Sequence, residues 1–451
     1  MFSSIQFWTT VVVLVLAPLF FGSVDLFWIA LWTILLSISA LCGAAAPMSA
    51  GQSRIWFGFL ALCGIYALVA IVQVVPNVVE QLNDPSWRRA NDLLGLDAIP
   101  RISSRAEIPP VAAGHFLLFA ASFISGFSVG TSRRNSDRLI QIAQYSILLY
   151  AIYGLVALIF TPNMVLWAPK LAYVGSLTTT FINHNTAATF IGAGAILWFC
   201  SAFSTLQQSF GFSSIRMLLL TRSNERLALR IIARSGGALA CFFALLLTGS
   251  RGGLIFSCLG LLVAIILMAA NGKKSRFFHM VVRGSVALAF IVALLSRKGR
   301  IGSQGLLDDE RWSVYEFCVE AIRQRPLLGA GAGTFEDLFP SLRADNFSSG
   351  GVWDYAHSTI LEIAVEMGIP VAAMVVLAAL ASLFVLVRAT VKSKGRSRRS
   401  LAAITGIAVL SYLHSMIDFS LQIPGYLVLF GILLGCGLAR ASATPAAGGA
   451  V

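Results

Sequence analysis

Residues 232–276 read IARSGGALACFFALLLTGSRGGLIFSCLGLLVAIILMAANGKKSR. Two apolar runs, 232–248 and 252–270, flank a short turn around Gly249-Ser250-Arg251, and Lys273, Lys274 and Arg276 follow at once. Each run is close to the roughly 17–25 apolar residues that cross a hydrocarbon core. Similar runs recur along the whole chain, near 7–22, 24–42, 55–76, 111–130, 139–160, 182–203, 278–296, 367–388, 401–419 and 424–440. The chain is 57% hydrophobic and only 12% charged, whereas soluble domains carry about 25% charged residues. A globular core of 451 residues would not hide that much apolar surface, so lipid is the expected solvent. Backbone groups do not stay unpaired in lipid, so each run is read as a helix. The expected fold is all-α, a polytopic membrane protein of about twelve spans with a large outward loop between the ninth and tenth. Residues Met1 to Trp8 carry no Lys or Arg, so 7–22 is read as a retained first span rather than a cleaved signal.

Charge orients the bundle. Loops 43–54, 131–138, 204–234, 271–276 and 388–399 hold more than half of the chain's 33 Lys and Arg, but of its 20 acids only Asp137 and Glu225. Basic loops stay in the cytoplasm. The same pattern accounts for the net charge of +13 without nucleic acid as a partner. With an even span count both termini, including a tail at 441–451, are cytoplasmic. Loops 77–110 and 297–356 then face outward. The first is polar, bounded or punctuated by Pro76, Pro85, Pro100, Pro109 and Pro110. The second contains one helical stretch, 309–324, with Trp312, Tyr315, Val319 and Ile322 at helical spacing and Pro326 beyond its end. That helix either lies on the membrane surface or packs on the bundle. Of seven cysteines six lie in apolar runs, with no CxxC, so no disulfide framework is expected.

Chemistry-bearing residues collect on the outward side. In Thr248-Gly249-Ser250-Arg251-Gly252-Gly253 the glycines permit a tight turn and close backbone approach, and the arginine adds a fork for an anion such as phosphate. Gly249 and Gly253 equally fit a helix-packing GxxxG pair. In the stretch Asp354 to Glu362, either Asp354 or Thr359 is placed to cap a helix, so His357 falls at or just before its N-terminus. The positive end of the helix dipole favours a neutral imidazole there, a competent general base. Arg311 follows Asp308-Asp309-Glu310 and fits either an anion site or a local ion pair. Gly329-Ala330-Gly331-Ala332-Gly333 follows no strand and reads as a glycine-rich loop, not a nucleotide fingerprint. Asn183 and His184 at the start of one span, and His414 with Asp418 near the outer end of another, are polar groups at a membrane boundary. Such groups serve a site or bind helices together. Glu362 and Glu366 share a helix face, with Glu366 pointing away from His357 on a straight helix. No HExxH, Cys/His cluster, Walker motif or GxSxG is present, so neither a catalytic metal nor a cofactor is expected.

Four segments resemble the O-antigen ligase and polymerase superfamily of bacterial envelope glycan assembly. They are LTGSRGGLI (247–255), ERWSVYEFCVEAIRQRPLLGAGAGTFEDLFP (310–340), YAHSTILEIAVEMGIP (355–370) and HSMIDFSLQIPGY (414–426). Residues 181–440 carry the likeness; 1–180 match only in hydropathy. Ser358 departs mildly from the asparagine that many members have after the histidine. The resemblance implies a metal-independent, inverting glycosyltransferase in the inner membrane with its site facing the periplasm. Its donor would be an undecaprenyl-diphosphate-linked glycan, and its acceptor another glycan or lipid A-core. Arg251 and Arg311 would hold the diphosphate and His357 would activate the acceptor hydroxyl. Asn183, His184, Glu366 and Asp418 are added as substrate-binding candidates. Two rival classes remain: a secondary transporter, which would place ionisable groups at the midplane, and a non-catalytic scaffold for envelope assembly.

Overall fold

The computed structural model describes residues 2–44, 46–209, 225–269, 309–342 and 353–443. Helices α1 (Phe2–Leu16), α2 (Leu26–Gly43), α3 (Ala50–Val74) and the short α4 (Pro85–Leu94) come first. They are followed by α5 (Ile108–Gly130), α6 (Arg133–Phe160) and a small antiparallel pair, β1 (Met164–Val165) and β2 (Ala168–Pro169). Next come α7 (His184–Ser209), α8 (Glu225–Leu247) and α9 (Arg251–Ala269). The last group is α10 (Asp309–Gln324), α11 (Phe335–Leu342), α12 (Thr359–Lys392), α13 (Gly395–His414) and α14 (Pro424–Ser442). Among the described residues, nine helices are long and apolar enough to cross a membrane. The chain is a multi-pass α-helical membrane protein. A helix stands at each expected span except the one near 278–296, which lies outside the described residues, as do 297–308 and 343–352 of the outward loop.

Several boundaries differ from expectation, each for a local reason. α1 stops at Leu16 instead of reaching 22. Pro18 has no N–H to give, disfavours helix at Ala17, and leads into a turn with Gly22 at φ +73°. The span expected at 401–419 ends at His414, so Asp418 lies in a turn and not one helical turn above His414. α12 begins at Thr359 rather than 367 and breaks at Gly368, whose φ is +83°. The 77–110 loop holds an unforeseen helix, α4. Asp84 accepts from the Ser86 N–H at 2.8 Å, Pro85 occupies the first turn, and Gly95 closes the helix at φ +62°. In α10 the buried face is Val314, Phe317, Cys318 and Ala321, while Trp312 and Val319 of the expected stripe are exposed. The helix packs with Phe335, Leu338, Phe339 and Val365 of α11 and α12, so it belongs to the bundle.

The most enclosed spans are α7 and α14, with 94% and 83% of their apolar windows buried. α14 reaches that depth because its backbone touches α5. A Cβ at Gly126 would collide with the Ile432 carbonyl, and one at Gly435 with the Phe123 carbonyl. At Gly130 it would sit 2.7 Å from the Cys436 oxygen, and at Gly431 2.8 Å from Ser122 Cβ. Gly126/Gly130 and Gly431/Gly435 are thus two small-residue pairs seated on each other, the packing that lipid favours when no hydrophobic drive separates helix from solvent. One apolar cluster runs from Phe7 to Ala439 and joins the two halves of the chain.

The helix ends sort onto two faces. On one, Arg440 bonds Asp137 and, at 2.9 Å, the Ser136 hydroxyl; Arg396 pairs with Asp137 at 3.8 Å, and Gln52 donates to the Ala439 carbonyl at 3.0 Å. On the other, buried Asp84 pairs with Arg325 at 2.6 Å and Arg105 with Asp337 at 3.1 Å. Basic loops 46–54, 131–138 and 388–399 therefore meet at one end, and loop 77–110 and the described residues 309–342 of the long loop at the other.

Gly435→Val is expected to cost at least the roughly 1–3 kcal/mol of an overpacked core site. Gly58→Val, where a Cβ meets nothing within 4 Å, serves as the control. Thermal unfolding in detergent checks this: only the Gly435 variant should melt lower or fail to purify as a single species.

Candidate active site

α13 ends at His414, and the turn that follows gathers four other elements. Thr359 at the start of α12 donates its N–H to the Ser415 carbonyl at 2.9 Å. Arg311 of α10 donates Nη1–H to the Ile417 carbonyl at 3.2 Å. The Asp418 carboxylate, 1% exposed, accepts from Asn185 Nδ2 at 2.8 Å and from the Ser420 hydroxyl at 2.6 Å. Asn185 Oδ1 in turn accepts from the Ser250 hydroxyl at 2.7 Å. Ser250 Oγ also takes the Gly253 N–H at 3.1 Å, which caps α9. One buried carboxylate thereby links the starts of α7 and α9 to the turn that also receives α10 and α12.

Arg251 is the first residue of α9 and is half-buried. The two glycines around it divide the roles read from sequence. Gly249, at φ +71°, has room for a Cβ, which would meet only the Ser176 hydroxyl at 3.9 Å, and serves the turn; Gly253 packs against Ala188, where a Cβ would approach to 2.5 Å. Arg251 thus stands at the positive end of a helix dipole beside the turn, a setting suited to an anion. Among the described residues neither Arg251 nor Arg311 has an acidic partner at ion-pair distance.

His357 sits just before the cap of α12. That cap is Ser358, whose hydroxyl takes the Leu361 N–H at 3.5 Å, rather than Asp354 or Thr359. His357 has φ +52°, a left-handed conformation that costs a non-glycine residue on the order of 1–3 kcal/mol. Its ring stands edge-on to Trp353 and Phe419 at 5.1 and 4.9 Å. Tyr315 of α10 donates its hydroxyl to the His357 carbonyl at 3.2 Å. Glu362 steadies the approach by accepting the Ala356 N–H at 2.7 Å and Gln422 Nε2 at 2.9 Å. Burial, then the Arg311 guanidinium, push the His357 imidazole down to about 4, against a smaller upward pull from Asp418. The neutral ring foreseen from the helix dipole is therefore due chiefly to desolvation. Among the described residues its buried Nδ1 has no hydrogen-bond partner.

The remaining candidates take different places. His184 gives Nδ1–H to the Thr248 carbonyl at 2.8 Å and stacks on Tyr173 at 4.1 Å, beside the turn that carries Arg251. Asn183 accepts the Asn185 N–H at 2.6 Å and acts locally at the start of α7. His414 Nδ1 meets the Thr189 hydroxyl at 2.6 Å, inside the Asp418 network. Glu366 is not brought to this cluster. Its carboxylate accepts the Phe335 N–H at 3.2 Å, and its backbone carbonyl takes the Gly331 N–H at 3.0 Å and Gln73 Nε2 at 2.7 Å. It holds the 329–333 loop onto α12 at the Gly368 break. Ser250, Tyr173 and Gln73 were not singled out from sequence, and Tyr315 was read only as part of a packing stripe. Ser250 lay inside a quoted motif, whereas Gln73 and Tyr173 carry no local signal.

Asp418→Ala would leave the Asn185 amide and the Ser420 hydroxyl without their acceptor, about 1–3 kcal/mol for each buried group. Asp418→Asn keeps one acceptor oxygen and should lose less. Melting temperatures in detergent should rank wild type, Asn, then Ala.

No curated protein matches the chain. Residues 236–376, which contain Arg251, Arg311 and His357, match the family described as O-Antigen ligase. That match supports a likeness of this part of the chain, about a third of its length, to the O-antigen ligase and polymerase superfamily.

Proposed function

We propose that the chain is a glycosyltransferase that moves a glycan from undecaprenyl diphosphate to a hydroxyl of a second glycan or of lipid A-core. The acceptor oxygen attacks the anomeric carbon while His357 takes its proton. The bond from that carbon to the diphosphate oxygen breaks, and the carrier leaves as the diphosphate anion with inversion at carbon. Arg251 and Arg311 hold the diphosphate and stabilise the charge that develops on it. The observation that carries the reading is that, among the described residues, the buried His357 Nδ1 has no partner and the neighbouring Arg311 has no acid at ion-pair distance. Buried groups left unmatched at a point of backbone strain are fitted to something that arrives. In this reading the site faces the periplasm of the inner membrane, because the basic loops at the other end face the cytoplasm. Polar groups gathered at a bundle end rather than at the midplane argue against transport.

Electrostatics supply a reason for ordered chemistry. At about 4, His357 is a weak base beside the Arg311 guanidinium, which among the described residues has no acid at ion-pair distance. A bound diphosphate offsets that positive charge and raises the imidazole toward neutrality, strengthening the base only when donor is present.

Envelope glycan profiles of strains carrying each variant test the assignment. At matched protein level, His357→Ala is expected to reduce transfer by roughly 10²–10⁴-fold, the usual weight of a general base. Arg311→Lys should fall short of wild type, because an ammonium lacks the bidentate fork. Normal chain length and attachment in the His357→Ala strain sinks its role. In a deletion strain, single repeat units on the carrier mark a polymerase and stranded full-length polymer marks a ligase.

The pH prediction has a defined sign. A base must be unprotonated, so donor-free His357 should stay neutral from pH 8 down and charge only near its apparent value of about 4. Imidazole NMR on adding a lipid diphosphate should show that titration move upward. A downward move or none contradicts the coupling.

A further inference from the structure

The end of the bundle opposite Arg251 and His357 also holds a built cavity. It encloses about 50 Å³ between α6, α7, α8 and α13, and its wall includes Arg234, Arg396, Arg399, Gln144, Trp198 and Tyr145. Arg399 and His414 lie on one helix 15 positions apart, about 22 Å at 1.5 Å per residue, so the two sites are separate. The cavity shares Asp137, Gln141 and Arg396 with a wider opening of about 510 Å³, where Arg133, Arg134 and Arg138 add to the wall. The charge does not balance. Asp137 is the single carboxylate among the described lining residues, and it already pairs with Arg440 as well as Arg396. Arg234 is held in place by the Ser201 carbonyl at 3.4 Å and the Thr205 hydroxyl. Like charges packed around a partly closed space cost free energy unless an anion enters.

The opening has a direction. Tyr145 lines the cavity yet is 63% exposed, and Leu149 and Ile152 continue its face of α6 at 66% and 45%. The cavity mouth therefore borders a bare apolar stripe that runs toward the bundle's middle. A phosphate group among guanidiniums, with hydrocarbon along that stripe, satisfies both features at once. We propose that this cavity binds the headgroup of an anionic phospholipid, with the phosphodiester against Arg234, Arg396 and Arg399 and an acyl chain along Tyr145, Leu149 and Ile152. Basic pockets between helices at the positive end of a bundle recognise such headgroups.

Native mass spectrometry of the purified full chain tests this, with phosphatidylglycerol, phosphatidylcholine or inorganic phosphate added after delipidation. The expected result is retained phosphatidylglycerol, preferred over phosphatidylcholine. Arg399→Gln should weaken that retention roughly tenfold, the factor one charge-assisted hydrogen bond carries. Arg399→Lys, which keeps charge but loses the fork, should be intermediate and carries the test if the Gln variant does not fold. Arg88→Gln, at the far end beside Glu80, should change nothing. Equal retention of both lipids, or an unchanged Arg399→Gln, overturns the proposal. Inorganic phosphate that binds and stabilises the protein without any lipid preference also overturns it, assigning the cavity to a soluble anion.

Discussion

The arrangement of the site depends on a carboxylate placed where charge is costly. Asp418 is buried and accepts two hydrogen bonds, one from Asn185 and one from Ser420. Without those donors its desolvation would oppose folding; with them it fastens segments more than two hundred residues apart. Asn185 passes the constraint to Ser250 and so to the first turn of α9, which presents Arg251. The turn after α13 that carries Asp418 offers the carbonyls of Ile417 and Ser415 that anchor Arg311 and Thr359. Two arginines and a histidine are thereby held on one framework without bonding to each other, which leaves their charged or basic ends available.

That framework needs rigid helices behind it. The glycine pairs of α5 and α14 bring two backbones into contact, and Gly260 with Gly406 does the same for α9 and α13. α13 and α14 are the helices that the Asp418 turn connects, so their close seating fixes where the turn stands. The left-handed His357 is tolerated because Ser358, Glu362 and Tyr315 hold the backbone on either side of it. Strain of this kind survives only where the surroundings over-determine it.

What the sequence disclosed follows the range of each interaction. Span positions were readable because apolar length is a local property, and the grouping of basic loops at one end was readable from charge. Arg251 stood out as a charge at the edge of an apolar run, His357 as a histidine at or just before a helix start, and Arg311 as an arginine following three acids in the outward loop. The Asn185–Asp418 bond was invisible, since nothing local couples residues so far apart. Asp418 was set on a helix because the run 401–419 is mostly apolar, while the structure ends that helix at His414. Glu366, placed on the helix face away from His357 and added as a substrate-binding candidate, instead meets the backbone of the 329–333 loop and Phe335, contacts that nothing local in the sequence announces. In α10 aromatic spacing pointed to one face, and packing against α11 and α12 selected another.

The central claim is a division of labour: the arginines bind the diphosphate and His357 does chemistry on the acceptor. Binding of a lipid diphosphate and the single-turnover rate of glycan transfer, measured on the same purified variants in liposomes, separate the two. The account predicts that His357→Ala binds donor nearly as wild type but transfers glycan at least about a hundredfold more slowly, whereas Arg251→Gln and Arg311→Gln lose donor binding itself. Transfer at the wild-type rate by His357→Ala, or undiminished donor binding in both arginine variants, would contradict it.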